Sequence, residues 1–240
     1  MLLNTNRARV VMVAVLTTLL LVASHAGAQD RVLGLLTLPE VFGSEACTPF
    51  EPRPVPLYAE PASKREMASI HVDQYWSFAP HGGCEGLEVS VHRGSAKAEL
   101  PTREYAYEAP AAIALDERNG WFKIRLGDGT GWVAPARQHQ FMPLSELFDQ
   151  ALTAITDQFT GRLRSEPGGA LIGERWTEHQ DVRVLEVRRV GDRQWIHVEV
   201  MSHNICDGNI NIEPRPIGKG WMPAHSDTGE PTVWFSARGC

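Results

Sequence analysis

The chain has 240 residues, with 23 Lys and Arg against 29 Asp and Glu, for a formal charge of −6. An acidic balance without a basic stripe argues against a nucleic-acid partner, because neutralising phosphates needs clustered cations. The length suits one large β domain or two ordinary ones.

At the N-terminus, Arg7 and Arg9 precede an apolar run from Val10 to Val22, and Ala26-Gly27-Ala28 supplies small residues for cleavage. This is the pattern of a secretory signal peptide covering residues 1–28. The 13-residue run falls short of the roughly 17–25 residues that a bilayer span needs. No Cys follows it to take a lipid, and no later stretch is long and apolar enough to cross a membrane. The expectation is a periplasmic or secreted protein starting near Gln29, with no stable membrane insertion after cleavage.

A lead-in segment, 29–50, carries the apolar stretch Val32–Leu38, which is ended by Pro39 and Gly43. Glu51-Pro52-Arg53-Pro54-Val55-Pro56 is stiff, since each Pro restricts itself and its predecessor. Leu57-Tyr58-Ala59-Glu60-Pro61 then opens a first domain, 51–141. Within it, Trp121-Phe122-Lys123-Ile124-Arg125-Leu126 alternates apolar and polar residues, which predicts a half-buried strand. Asn119-Gly120 before it suits a tight hairpin turn. Gly127-Asp128-Gly129 separates it from Gly131-Trp132-Val133, its predicted hairpin partner.

Between the domains, Leu144, Leu147, Phe148, Ala151, Leu152, Ile155 and Phe159 recur at helical spacing, behind Pro143 and before Gly161. The expectation is one amphipathic linking helix in 142–162 that caps the junction. The second domain, 163–240, repeats the first phrase by phrase. Leu163-Arg164-Ser165-Glu166-Pro167 matches the opening, and Val182, Val184 and Val187 lead through Gly191-Asp192-Arg193 to a second Trp strand, Trp195-Ile196-His197-Val198-Glu199-Val200. Gly220-Trp221-Met222 closes it.

The copies differ in spacing. Leu57 to Trp121 is 64 positions but Leu163 to Trp195 is 32, while Trp121 to Trp132 is 11 and Trp195 to Trp221 is 26. Each copy therefore carries one insertion, and Leu87-Glu88-Val89-Ser90-Val91-His92 is a strand candidate inside the first. Cys84 falls in the first insertion and Cys206 in the second. With four cysteines in an exported chain, disulfides are expected. Of three possible pairings, Cys47–Cys84 and Cys206–Cys240 are favoured because each stays within one repeat. Closing a loop of that size contributes roughly 3–4 kcal/mol on chain-entropy grounds. No CxxC pair or HExxH is present, so no metal site and no cofactor is expected.

The paired phrases, Leu-x-x-x-Pro, Trp-hydrophobic-x-hydrophobic and Gly-Trp-hydrophobic, resemble the bacterial SH3-like (SH3b) domain family. The resemblance covers most of residues 50–135 and 160–235. It implies a mainly β fold of two tandem small SH3-like barrels in an exported protein, here joined by the helix, and a binding role toward peptides or cell-wall material. The insertions depart from the family pattern and could cover or remodel the usual groove.

No Gly-x-Ser-x-Gly elbow or phosphate loop is present, and His71, His81, His92, His197 and His203 show no ligand spacing. The expectation is that the chain is not an enzyme. Trp121, Trp132, Trp195 and Trp221 belong to the repeated scaffold and read as packing. Tyr75, Trp76 and Phe78 lie in the first insertion beside Gly82-Gly83, where aromatic loop residues favour contact with a ligand, although a satellite core beneath the insertion fits as well. Tyr105 and Tyr107 could line a neighbouring groove. The sequence thus points to an exported, non-catalytic binding protein for a peptide, protein or wall component of the envelope. Its alternative is an assembly component acting through self-association.

Overall fold

The computed structural model describes residues 30–43, 51–75, 87–149, 152–204, 206 and 213–239. The first part of the chain forms β1 (Gly34–Leu36), α1 (Pro39–Phe42), β2 (Val55–Tyr58), β3 (Glu66–Tyr75), β4 (Leu87–Arg93) and β5 (Ala96–Glu99). It continues with β6 (Thr102–Ala106), β7 (Ala109–Arg118), β8 (Trp121–Leu126), β9 (Gly129–Val133), β10 (Phe141–Pro143) and α2 (Leu144–Leu147). The second part forms β11 (Thr153–Ile155), β12 (Gly161–Arg164), β13 (Leu171–Trp176), β14 (Val182–Val190), β15 (Arg193–Met201), β16 (Pro216–Pro223) and β17 (Val233–Phe235). The architecture is mainly β, in three antiparallel sheets among the described residues.

The largest sheet runs β10-β1-β7-β8-β9-β2-β3-β4-β5, with β6 also paired to β7; the second runs β13-β12-β16-β15-β14. Within the first, the stretch β7-β8-β9-β2-β3 has the same chain-order pattern as β14-β15-β16-β12-β13. Register agrees as well. Tyr58 and Lys123 flank Trp132, as Arg164 and His197 flank Trp221. Ile124 faces Gly131 as Val198 faces Gly220. Each copy also breaks register by one residue at the same place, past Ala114 opposite Ile124 and past Val184 opposite Val198. A one-residue slip turns every side chain to the other face, so shared bulges keep both Trp strands facing alike.

Local chemistry explains the turns. Asn119 and Gly120 both have positive φ, 54° and 80°, the conformation that a two-residue hairpin turn demands. The 32-residue surplus of the first copy becomes the β4–β5 hairpin, which extends the sheet beyond β3, and β6, which returns to β7. The expected strand at 87–92 is thus β4.

Two expectations are corrected in form. No closed barrel is found among the described residues. The linking helix in 142–162 is reduced to the single turn of α2; the chain then reaches Leu152 at φ 62° and pairs as β11 with β17. β-branched Thr153, Ile155 and Thr156 disfavour helix and suit an extended chain. The apolar spacing marked burial rather than helix, because Leu144, Leu147, Phe148 and Ile155 are all buried.

Two apolar clusters meet at β7. Ala112 and Ala114 pack with Leu57, Ile70, Ile124 and Val133 inside the first unit. Ala111, Ile113 and Leu115 join Leu163, Ile196, Val198, Met222 and Phe235 of the second unit. The lead-in stretch supplies β1, buried at all three residues and inserted between β7 and β10. Polar ties cross the same boundary: Glu230 pairs with Arg103 and Arg125, Arg238 with Glu104, and the Arg103 guanidinium lies 4.4 Å from the Trp234 ring centre.

The Gly of each Gly-Trp phrase lies under the opening Leu. A Cβ at Gly220 would lie 2.9 Å from both the Leu163 Cβ and the Arg164 carbonyl, whereas at Gly131 the nearest atoms are 3.4 Å away. Gly220→Ala is therefore expected to destabilise the protein by about 1–3 kcal/mol, and Gly131→Ala by much less, as read by urea denaturation. Equal losses would contradict the packing difference.

Candidate functional site

The aromatic residues singled out from sequence do not form one described surface. Tyr75 ends β3, while Trp76 and Phe78 lie outside the described residues. Tyr105 sits at the irregularity between Glu104 and Ala106 and packs against the shared core, whereas Tyr107 is in the turn before β7 and is 59% exposed. The two differ in burial, Tyr105 being packed and Tyr107 open. The Trp residues read as scaffold are mostly core: Trp132, Trp195 and Trp221 are buried, and Trp121 is half-buried against Tyr58. Arg118 caps Trp132 and Arg188 caps Trp221, at 5.0 and 4.8 Å from the ring centres. These contacts between cation and ring face occupy equivalent positions in the two copies. Cys47, Cys84 and Cys240 lie outside the described residues; Cys206 is not a free thiol and lines a cavity together with Gly239.

Pairing of β3 with β4 assembles a cluster that sequence spacing concealed. Ser69, His71 and Asp73 alternate along β3, and the register sets Ser69 opposite His92 and His71 opposite Ser90. The His71 and His92 rings stack 4.3 Å apart. Ser69 Oγ lies 2.9 Å from His71 Nε2, and His92 Nε2 lies 2.9 Å from Asp73 Oδ1. Lys97 Nζ donates to the same carboxylate at 2.8 Å, and Ser90 Oγ donates to its second oxygen. The Lys97 and Ser90 hydrogen bonds, helped by His92, hold the Asp73 carboxyl well below the usual carboxylate range against the opposing effect of burial. A carboxylate so committed is a weak base, so the cluster acts as a polar clamp joining three strands. The detectable sequence signal was the period-two recurrence of polar residues at 69, 71 and 73 and at 90 and 92.

A different place offers open volume. The lead-in segment crosses the second unit where Gly229, at φ 83°, leaves room; a Cβ there would meet the Asp30 carbonyl at 2.5 Å. Val32 N–H donates to the Gly229 carbonyl at 3.0 Å, and His225 Nε2 donates to the Val32 carbonyl at 2.7 Å. That bond fixes the His225 proton on Nε2, and burial pushes its pKa below the ordinary histidine value, so the ring is neutral at neutral pH. Between these segments lies a cavity of about 520 Å³, lined by residues of four chain stretches including Arg31, Gln158, Arg193, Gln194, His225 and Asp227.

Its polar groups divide into used and unused. Gln158 accepts from Ser226 and Thr228 and donates to Asp157. Arg31 Nη1 donates to the Asp192 carbonyl at 2.6 Å, next to Arg193 in the chain. Neither Arg193 nor Gln194 makes a side-chain hydrogen bond or ion pair among the described residues. Of the carboxylates near by, Asp30 pairs with Lys123 at 2.7 Å and Glu230 with Arg103 and Arg125, which leaves Asp227 as the one acid in the lining. Sequence reading missed this cavity because its walls are 31, 158–160, 193–194 and 223–232, joined only by the fold.

The depressed Asp73 carboxyl gives a pH prediction. A group whose folded pKa lies below its unfolded value, about 3.9 for Asp, stabilises the fold above that pH and loses the contribution as pH falls toward the folded value. Between about pH 4 and 2 the wild type should lose more stability than Asp73→Asn, measured by thermal melts across that range; parallel losses would count against the clamp.

Comparison of the chain with protein-family models, with curated proteins and with solved structures returns no match.

Proposed function

We propose that this chain is an exported, non-catalytic recognition protein built from two SH3-like β units, and that it binds a peptide, protein or cell-wall component in the periplasm or outside the cell. The observation that carries the reading is the seam cavity, where an open volume of about 520 Å³ is bordered by polar side chains left without partners among the described residues. Concave sites with a few unsatisfied polar groups are where ligands dock. The repeated strand order and register support the SH3-like assignment, and the secretory pattern at 1–28 supports export. The disulfides Cys47–Cys84 and Cys206–Cys240 belong to this reading; the shared cavity of Cys206 and Gly239 favours the second. Among the described residues, no Ser or Thr lining the cavity bonds to a histidine or carboxylate side chain, which favours binding over catalysis.

Self-association is the second reading. It is favoured by Leu171, Leu185, Val190 and Ile217, large apolar side chains of the second unit that are each at least 40% exposed.

The binding reading predicts partners in a pull-down from envelope extract. They should be lost with Arg193→Ala, a surface change that leaves the fold intact by circular dichroism. Loss only with Trp76→Ala would move the site to the first insertion. Retention by both variants, together with a dimer in gel filtration that Leu185→Glu splits, would favour self-association instead.

A further inference from the structure

The seam cavity has a charge character opposite to that of the molecule. The chain as a whole is acidic, yet the cavity is bordered by Arg31 and Arg193 against the single carboxylate of Asp227, with His225 held as a hydrogen-bonded donor to Val32. Arg31 spends one Nη on the Asp192 carbonyl, and the rest of its guanidinium makes no further hydrogen bond or ion pair among the described residues. Arg193 and the Gln194 amide are likewise uncommitted. Because the Arg31 anchor is the carbonyl immediately before Arg193, the Arg31 guanidinium is held beside the start of β15, and both arginines border the cavity.

Resting on the binding role above, we infer that this cavity takes a carboxylate group of its ligand, held by the Arg31 and Arg193 guanidiniums with the Gln194 amide as a further donor. Three arguments select the class. Two guanidiniums offset by one acid leave a single net positive charge, which matches a monoanion better than a phosphate carrying about −1.5 to −2. Guanidinium and primary amide are planar donor groups, and their parallel N–H pairs fit the two oxygens of a planar carboxylate. The Arg31 guanidinium is held by the Asp192 carbonyl, and the surrounding wall is tied by Val32 N–H to the Gly229 carbonyl and by Ser226 and Thr228 to Gln158. A donor held in place needs little reordering on binding.

The carboxylate could be the terminus of a peptide chain or an acidic side chain along it. Titration calorimetry at low salt with three N-acetylated pentapeptides separates these: one with a free C-terminus, its C-terminal amide, and an amide carrying a central Glu. Hydrogen bonds to charged groups are the strong ones, so Arg193→Gln should weaken the bound acid about tenfold or more. Gln194→Leu should weaken it less, while neither variant changes the melting temperature appreciably. Binding of the free acid alone assigns the chain terminus, and binding of the Glu amide alone assigns the side chain. Equal binding of all three peptides, the neutral amide included, would overturn the carboxylate assignment. So would binding by none of them, or unchanged binding in Arg193→Gln. If an envelope partner is still captured and still lost with Arg193→Ala under those results, the recognition role stands and only the ligand class fails.

Discussion

The structure depends on the burial of both faces of one strand. In β7, Ala112 and Ala114 point into the first core while Ala111, Ile113 and Leu115 point into the core shared with the second unit. Its repeat counterpart β14 shows what that demands of sequence. By register, Ile113 corresponds to Arg183 and Leu115 to Leu185, both exposed. β7 is apolar from Ala109 to Leu115 because that stretch lies between two cores; β14 alternates because one side faces water. Duplicated plans thus diverge where the copies touch.

The same contact creates the seam. Once β7 is covered by the second unit, β1 can lie beside it with all three residues buried, and the chain before β1 must run over the second unit. Gly229 admits that crossing, and the space left beside it is the cavity bordered by Arg31 and Arg193. Packing and the candidate site therefore have one origin. The site exists only in the assembled pair, because Arg31 comes from the lead-in and Arg193 from β15.

Much of this was legible from residues. The paired Trp phrases fell on β8 and β15, the Gly-Trp triplets on β9 and β16, and the opening Leu residues on β2 and β12. These features are local, and period-two alternation reports them directly. The stretch 144–159 misled because one apolar spacing fits both a helix and a turn followed by a strand, and only the pairing of β11 with β17 decides. His71 and His92 were invisible as neighbours, since their stacking depends on the register of β3 and β4, including the irregularity between Val72 and Gln74. The cavity depends on four separated stretches and had no local signal. Tyr105 and Tyr107 looked equivalent in the sequence, yet one packs against the shared core and the other is exposed.

Whether the two units form one cooperative body is tested most directly by equilibrium urea unfolding of the intact protein. It should be followed by tryptophan fluorescence and far-ultraviolet circular dichroism, with and without Ile113→Ala. A shared core predicts one transition, coincident by both probes, whose midpoint shifts as a whole when truncation removes about 2–5 kcal/mol. Two separated transitions, with only one moved by the substitution, would contradict the account.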